Sequence, residues 1–217
     1  MTFFGDREKC YHCYRPMSSC MCKHVHQIDT STKFVILMHD KEFKKTKNNT
    51  GRMTHLGLAN SELIVGVSFE NSCRVNALID DENSACYVLY PSTDALSLNQ
   101  EKALHVKKQN IVFIIDATWA CSKTMLRLSP KLDALPKLSF THTKRSQYQI
   151  KTQPGAHCLS TIESTLCVME LLNESGVEAI GSESLEKFLN PFQEMIKYQI
   201  ACVEDEGKAV RYRKPSD

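Results

Sequence analysis

The chain has 217 residues, 42% of them hydrophobic, with 27 Lys and Arg against 25 Asp and Glu for a net charge of +2. That is ample apolar content for the core of one large domain, yet no apolar run approaches the length of a membrane span. The opening Met1-Thr-Phe-Phe-Gly-Asp6 lacks the basic start and long apolar stretch of a secretory signal, so the ten cysteines are expected to be reduced thiols of a cytoplasmic protein.

Four of those cysteines crowd the N-terminus as Cys10-Tyr-His-Cys13, Cys20 and Cys22. A segment this short cannot bury a core of its own, so a metal clip is the natural way to order it. Four thiolates match tetrahedral zinc and leave no open coordination position, which makes the site structural. An iron–sulfur cluster is the alternative, although C-x-C spacing is untypical of the common ferredoxin runs. Residues 1–30 are therefore expected to form a zinc knuckle, ahead of one α/β domain over residues 31–217. The remaining six cysteines sit among apolar neighbours and read as buried filler.

The body alternates. Short apolar runs at residues 34–38, 63–65, 87–90 and 111–115 have strand length, and polar, helix-compatible stretches at 52–60, 71–80, 97–107 and 120–128 lie between or after them. Such alternation predicts a mostly parallel sheet with helices on both faces. Ser160-Thr-Ile-Glu163 is a capping box opening a helix whose stripe runs through Ile162, Leu166 and Met169 and ends near Gly176. A last apolar face from Leu185 to Ile196 is expected to break or kink at Asn190-Pro191.

The most informative stretch is Ile111-Val-Phe-Ile-Ile115 followed by Asp116-Ala-Thr-Trp119, which contains the only tryptophan. Five apolar residues in a row read as a strand buried on both faces. Ligands of open α/β sheets collect outside the carboxyl ends of strands, so a carboxylate there marks a site. The alternative is a Thr or Asp cap for the next helix, with Trp119 in the core. The chain carries no G-x-G-x-x-G, Walker loop, H-E-x-x-H or nucleophile elbow, and the chemistries built on them lose support.

Charge is unevenly spread. Residues 1–52 hold ten Lys/Arg against five Asp/Glu and residues 123–151 hold seven against one, while residues 176–206 reverse the sign. Two basic blocks suit a polyanion such as nucleic acid, and a solvated surface is the bland account of the same pattern.

Four segments, in order, resemble the DTW-domain family of tRNA-uridine aminocarboxypropyltransferases. They are the cysteine knuckle with Pro16, His39-Asp-Lys-Glu42 through Asn49-Thr-Gly-Arg52, Tyr90-Pro91 with Asp116-Ala-Thr-Trp119, and Tyr148 through Pro154 with Leu159-Ser-Thr-Ile-Glu163. Asp40, Ala117 and Lys151 stand where the family usually has Pro, Gly and Arg. The resemblance implies a SPOUT-like domain with a C-terminal knot that binds S-adenosylmethionine and moves its 3-amino-3-carboxypropyl group to N3 of a tRNA uridine. Methylthioadenosine is the implied by-product.

It further implies roles. Asp116 is the candidate base for the weakly acidic N3–H, or else a hydrogen-bonding anchor for cofactor or uracil. Tyr90, Pro91, Ser92, Thr118, Trp119, Leu159, Ser160, Thr161 and Glu163 join Asp116 around the cofactor. Glu163 is the candidate partner of the cofactor's ammonium, and the amides at the Ser160 helix start suit its carboxylate. Lys44, Lys45, Lys47, Arg52, Lys123, Lys144, Arg145 and Lys151 are candidate RNA phosphate contacts, and Arg52 is also a candidate for the cofactor carboxylate. His39 reads as a buried structural histidine. The implied partner is tRNA, with no membrane and no obligate protein partner. Two rival readings stay open: a knotted RNA methyltransferase leaving S-adenosylhomocysteine, and a zinc-knuckle RNA-binding protein without catalysis.

Overall fold

A computed structural model describes residues 8–45, 48–100, 104, 107–143, 146–148 and 158–204, the side chain of Lys45 excepted. Six strands form one sheet in the order β2-β1-β5-β3-β6-β4, and every pairing is parallel. In chain order they are β1 (Lys33–Met38), β2 (Ser61–Val65), β3 (Ser84–Leu89), β4 (Leu96–Ser97), β5 (Gln109–Asp116) and β6 (Lys137–Ser139). The run expected to be buried on both faces is β5, which sits third in the sheet between β1 and β3. Phe34, Val35, Ile36, Leu37, Val112 and Phe113 have no exposed surface at all.

Side chains alternate across a strand, so each apolar run feeds two cores. Phe34 and Ile36 of β1 and Val112 and Ile114 of β5 point into one. That core is completed by α2 (Thr50–Leu56), α6 (Thr161–Glu174) and α8 (Asn190–Glu204), through Met53, Ile162 and Phe192 among others. Val35, Leu37, Ile111 and Phe113 point the other way, onto α3 (Cys73–Ile79), α4 (Trp119–Arg127) and α5 (Pro130–Asp133). Helices thus cover both faces, as the alternation requires. Two shorter helices, α1 (Asp40–Lys45) and α7 (Ser182–Lys187), complete the set among the described residues. No helix among these residues is long and apolar enough to cross a membrane.

Local chemistry sets the boundaries. Asn49 caps α2 by accepting the Arg52 amide, and Ser72 caps α3 by accepting the Val75 amide. The Ser160–Glu163 capping box opens α6, and Gly176, with φ of 75°, follows its last turn in the left-handed conformation that only glycine adopts without cost. The break expected at Asn190-Pro191 separates α7 from α8.

One expectation is corrected. No helix occupies the described part of residues 97–107. Leu96–Ser97 instead pairs with β6 as β4, the Leu98 amide donates to the Ser139 carbonyl, and Asn99 exchanges two hydrogen bonds with the Thr141 backbone. Those bonds hold the backbone extended, and Leu98 is thereby buried. The C-terminal knot implied by the resemblance is not traced by the described residues, which leave out 144–145, 149–157 and 205–217.

The N-terminal segment is docked on this body rather than held apart from it. Met21 and Ile28 belong to the same core cluster as α6 and α8, and Ile28 bridges to Leu58.

Candidate functional site

The carboxyl ends of β3, β5 and β6 open onto a cavity of about 550 Å³, a size typical of small-molecule sites. Asp116, the last residue of β5, lies at its floor and is 5% exposed. Its place is fixed by the sheet: Asp116 is in register with Met38, and its carbonyl accepts the His39 amide at 3.1 Å.

Two side chains from distant helices hold the carboxylate. Asn49 Nδ2 donates to Oδ2 at 2.7 Å, and Thr161 Oγ1 donates to Oδ1 at 2.6 Å. Asn49 Oδ1 is already taken by the Arg52 amide at 2.8 Å, so only its NH2 group can face Asp116. The cap of α2 and the anchor of Asp116 are therefore one side chain. Gly51 supplies the remaining wall: a Cβ there would lie 2.5 Å from Asp116 Cγ and 2.6 Å from Oδ2. Only a residue without a side chain lets the helix backbone approach the carboxylate this closely.

Tyr90, Pro91, Asp116, Thr118, Trp119, Leu159, Ser160 and Thr161 all line the cavity, so the site expected from widely spaced segments is assembled by the fold. Trp119 is 45% exposed, which sets aside the alternative of a core residue, and meets Tyr90 edge to face with ring centroids 6.1 Å apart. Together they form an aromatic section of the cavity wall. Thr118 caps α4, its oxygen accepting the Cys121 amide at 3.4 Å. Ser92 is exposed, bonds Asp94, and lies outside the lining.

Glu163 stands behind the wall. Its two oxygens accept from the Ser160 amide at 2.8 Å, Ser160 Oγ at 2.6 Å, Ser146 Oγ at 2.9 Å and the Gln147 amide at 2.6 Å. With four donors on it, this carboxylate ties the chain after β6 to the start of α6.

Sequence reasoning did not single out Asn49, Gly51 or Tyr148 as site residues. Tyr148 lines the cavity, is 8% exposed and donates to the Asn48 carbonyl at 3.1 Å. An Asn just ahead of a helix was the available signal for Asn49, but the helix was expected to begin at residue 52 and the capping position was passed over. Ala117, where the family usually has Gly, also lines the cavity. His39 is buried, and its Nδ1 accepts the Lys41 amide at 3.0 Å, a structural role.

The basic candidates divide. Lys44 is exposed on α1, paired with Asp40 at 3.6 Å, and Lys123 is exposed on α4 one turn beyond Trp119. Arg52 is half-buried beside the knuckle. Burial lowers its pKa, while Tyr14, Cys13 and Asp116 push it back up. The Lys45 side chain and residues Lys47, Lys144, Arg145 and Lys151 lie outside what is described.

At the knuckle, the sulfur atoms of Cys10, Cys13, Cys20 and Cys22 all lie within 4.8 Å of one another. The Cys10–Cys22 and Cys13–Cys20 separations are both 3.7 Å. A tetrahedron with ~2.3 Å metal–sulfur bonds has edges of ~3.8 Å, so the four residues fit one zinc ion. Backbone amides of Cys13 and His12 pull the Cys10 thiol down to about 6, while burial pushes Cys13 and Cys22 up. Four sulfurs at this spacing can all be thiolates only with a cation among them.

A family model described as the DTW domain matches residues 7–200. The chain is 30% identical over 211 residues to a Drosophila melanogaster protein named tRNA-uridine aminocarboxypropyltransferase 2, covering 93% of this chain and 80% of that one. It is 25% identical over 198 residues to the Mus musculus protein of the same name and 23% over 197 to that of Macaca fascicularis, covering 89% of this chain and 64% of each relative. No solved structure matches it significantly. A match over nearly the whole chain, on a fold that gathers the resembling segments around Asp116, makes this chain a member of the DTW-domain family.

Proposed function

We propose that this chain transfers the 3-amino-3-carboxypropyl group of S-adenosylmethionine to N3 of a uridine in tRNA, with methylthioadenosine as by-product. The observation that carries the reading is Asp116: a buried carboxylate at a strand end, clasped by Asn49 and Thr161 in a cavity of small-molecule size. The names of the relatives supply the reaction class.

The residues present fit such a donor. The cavity wall is apolar at Leu89, Ile114 and Leu138, aromatic at Tyr90 and Trp119, and polar where Ser160, Thr161 and Ser164 mark the start of α6. Amides at that helix start suit the donor's carboxylate, and Trp119 offers a stacking face for adenine or uracil. Bound there, the sulfonium supplies an activated γ-carbon, so that N3–carbon bond formation accompanies carbon–sulfur cleavage and sulfur keeps the electron pair.

The protein's task is then alignment and proton removal. Asp116 accepts the N3 proton. A carboxylate has about four acceptor sites, and the uracil imide is the donor we assign to it alongside Asn49 and Thr161. Those two partners keep its plane fixed, so no reorganisation is needed at the moment of transfer. Glu163 acts indirectly, by holding residues 146–147 against α6. Leu159 and Pro91 shape the wall.

The knuckle holds structural zinc in this reading, with no part in bond breaking. Lys44, Arg52 and Lys123 contact RNA phosphates, and Lys45, Lys47, Lys144, Arg145 and Lys151 join them on sequence grounds. Ten cysteines without a disulfide suit a reducing cytoplasm.

Mass spectrometry after incubation with S-adenosylmethionine and unmodified tRNA tests the proposal. Methylthioadenosine and RNA heavier by one aminocarboxypropyl group are expected. S-adenosylhomocysteine with methylated RNA, or no product despite tight tRNA binding, would overturn it.

A further inference from the structure

Tyr14 is the only non-glycine residue with positive φ among the described residues, at 59°. A tyrosine is strained there, so the surrounding structure must impose the conformation. The imposing elements are in the knuckle. Tyr14 donates its amide to the Cys10 carbonyl at 2.8 Å, and the Cys10 amide bonds the Arg15 carbonyl at 2.8 Å, closing the loop that carries two of the four sulfurs.

The result is a clasp. The Arg52 guanidinium carbon lies 4.8 Å from the Tyr14 ring centre and 4.8 Å from that of Phe43. The two rings belong to different parts of the chain, Tyr14 to the knuckle and Phe43 to α1, and their centroids are 6.4 Å apart. Neither ring is placed by burial, since Tyr14 is 58% and Phe43 38% exposed. Among the described residues no side chain or carbonyl accepts a hydrogen bond from the Arg52 side chain. A guanidinium held against two ring faces, with no hydrogen bond from its N–H groups to the described residues, keeps those groups for a ligand and suits phosphate.

Its position selects the kind of anion. Arg52 does not line the large cavity but a small cleft beside it, with Cys13, Met21 and Met53, while Asn49 lines both. A donor enclosed in the cavity lies on the far side of Asn49 from this fork. A strand that puts one base in the cavity has its neighbouring backbone within reach of this cleft, because the two share Asn49.

We infer that Arg52, clasped between Tyr14 and Phe43, holds an RNA phosphodiester flanking the target uridine, and that the knuckle serves the reaction by holding Tyr14 in that clasp. The inference rests on the tRNA reading above. Tyr14 and Phe43 are thus positioning residues and Arg52 the contact.

The test is filter binding of unmodified tRNA transcripts across a salt series, with metal content and thermal melting measured on the same samples. Tyr14→Gly suits it because glycine adopts the positive φ without strain, so the loop and its metal are retained while the ring is lost. This variant is expected to bind one metal equivalent, melt no lower than wild type, and raise the tRNA Kd about tenfold. Arg52→Ala is expected to weaken binding further and to flatten the slope of log K against log salt by about 0.7. Wild-type tRNA affinity and slope in both variants would overturn the inference. So would a defect confined to the KM for S-adenosylmethionine, which would assign Arg52 to the donor. Failure of the wild-type chain itself to bind tRNA would instead sink the reading beneath.

Discussion

Gly51→Ala is the sharpest probe of how Asp116 is held. The added Cβ would sit 2.5 Å from Asp116 Cγ, 2.6 Å from Oδ2 and 2.9 Å from Oδ1. Non-bonded carbons settle at ~3.5–4.0 Å, so the carboxylate must retreat by about 1 Å. The bonds from Asn49 and Thr161, at 2.7 and 2.6 Å, then stretch past hydrogen-bonding range. Overpacking of this kind costs about 1–3 kcal/mol, and the gain from replacing glycine by alanine in the first turn of α2 offsets up to ~1 kcal/mol of it. Net stability therefore falls by about 0–3 kcal/mol. Displacing a reacting group by 1 Å lowers turnover by about 10²-fold. The assay is aminocarboxypropyl incorporation into tRNA followed by mass spectrometry, alongside urea unfolding. Gly181→Ala is the control, because a Cβ there has no neighbour within 4 Å. Wild-type turnover in Gly51→Ala would refute the argument that the Asp116 position matters.

Asn49→Asp keeps the α2 cap but sets a second buried carboxylate beside Asp116, so activity at pH 7 is expected to drop at least tenfold and the unfolding midpoint to fall with it, recovering as pH is lowered, whereas Asn49→Ala should cost about 1 kcal/mol in urea melts. Metal analysis of the purified, reduced protein should find one zinc equivalent. Because Met21 and Ile28 share the main core, stripping the metal should lower the melting temperature of the whole domain in calorimetry. Glu62 accepts from Arg74 at 2.5 and 2.8 Å and from Lys33 at 3.0 Å, and these partners pull its carboxyl from the usual 4.5 down to about 2. Its folded pKa is below its unfolded one, so its contribution is complete above pH 4.5 and fades as pH falls toward 2. Glu62→Gln should thus lose up to ~1 kcal/mol against wild type in urea at pH 7, and the gap should narrow at pH 3.

Much of this fold was legible because single residues dictate local outcomes. The unbroken apolar run before Asp116 could only be a strand covered on both faces, and the Ser160–Glu163 spacing and Pro191 marked helix ends by their chemistry. The four-cysteine cluster was legible for the same reason. The three-residue strand β6 was not, since it has too few side chains to show a period, and β4 was hidden in a stretch with helix-compatible composition. For Trp119 the sequence left a stacking face and core packing both open, because a lone aromatic after a strand carries no sign of which way it faces, and here it lines the cavity. The grip on Asp116 was the least legible feature. Asn49 and Thr161 stand 67 and 45 positions away, and only parallel crossovers, whose order leaves no local trace, bring them to one carboxylate.

The double use of Asn49 turns one backbone proton into a reporter. Its amide can face Asp116 only while its oxygen holds the Arg52 N–H, so the two bonds rise and fall together. Whatever draws the carboxylate away from Asn49 loosens that N–H as well, and deuterium exchange at the Arg52 amide then reads the state of the carboxylate. Site occupancy could be followed in the resting protein, without turnover and without a label on the RNA.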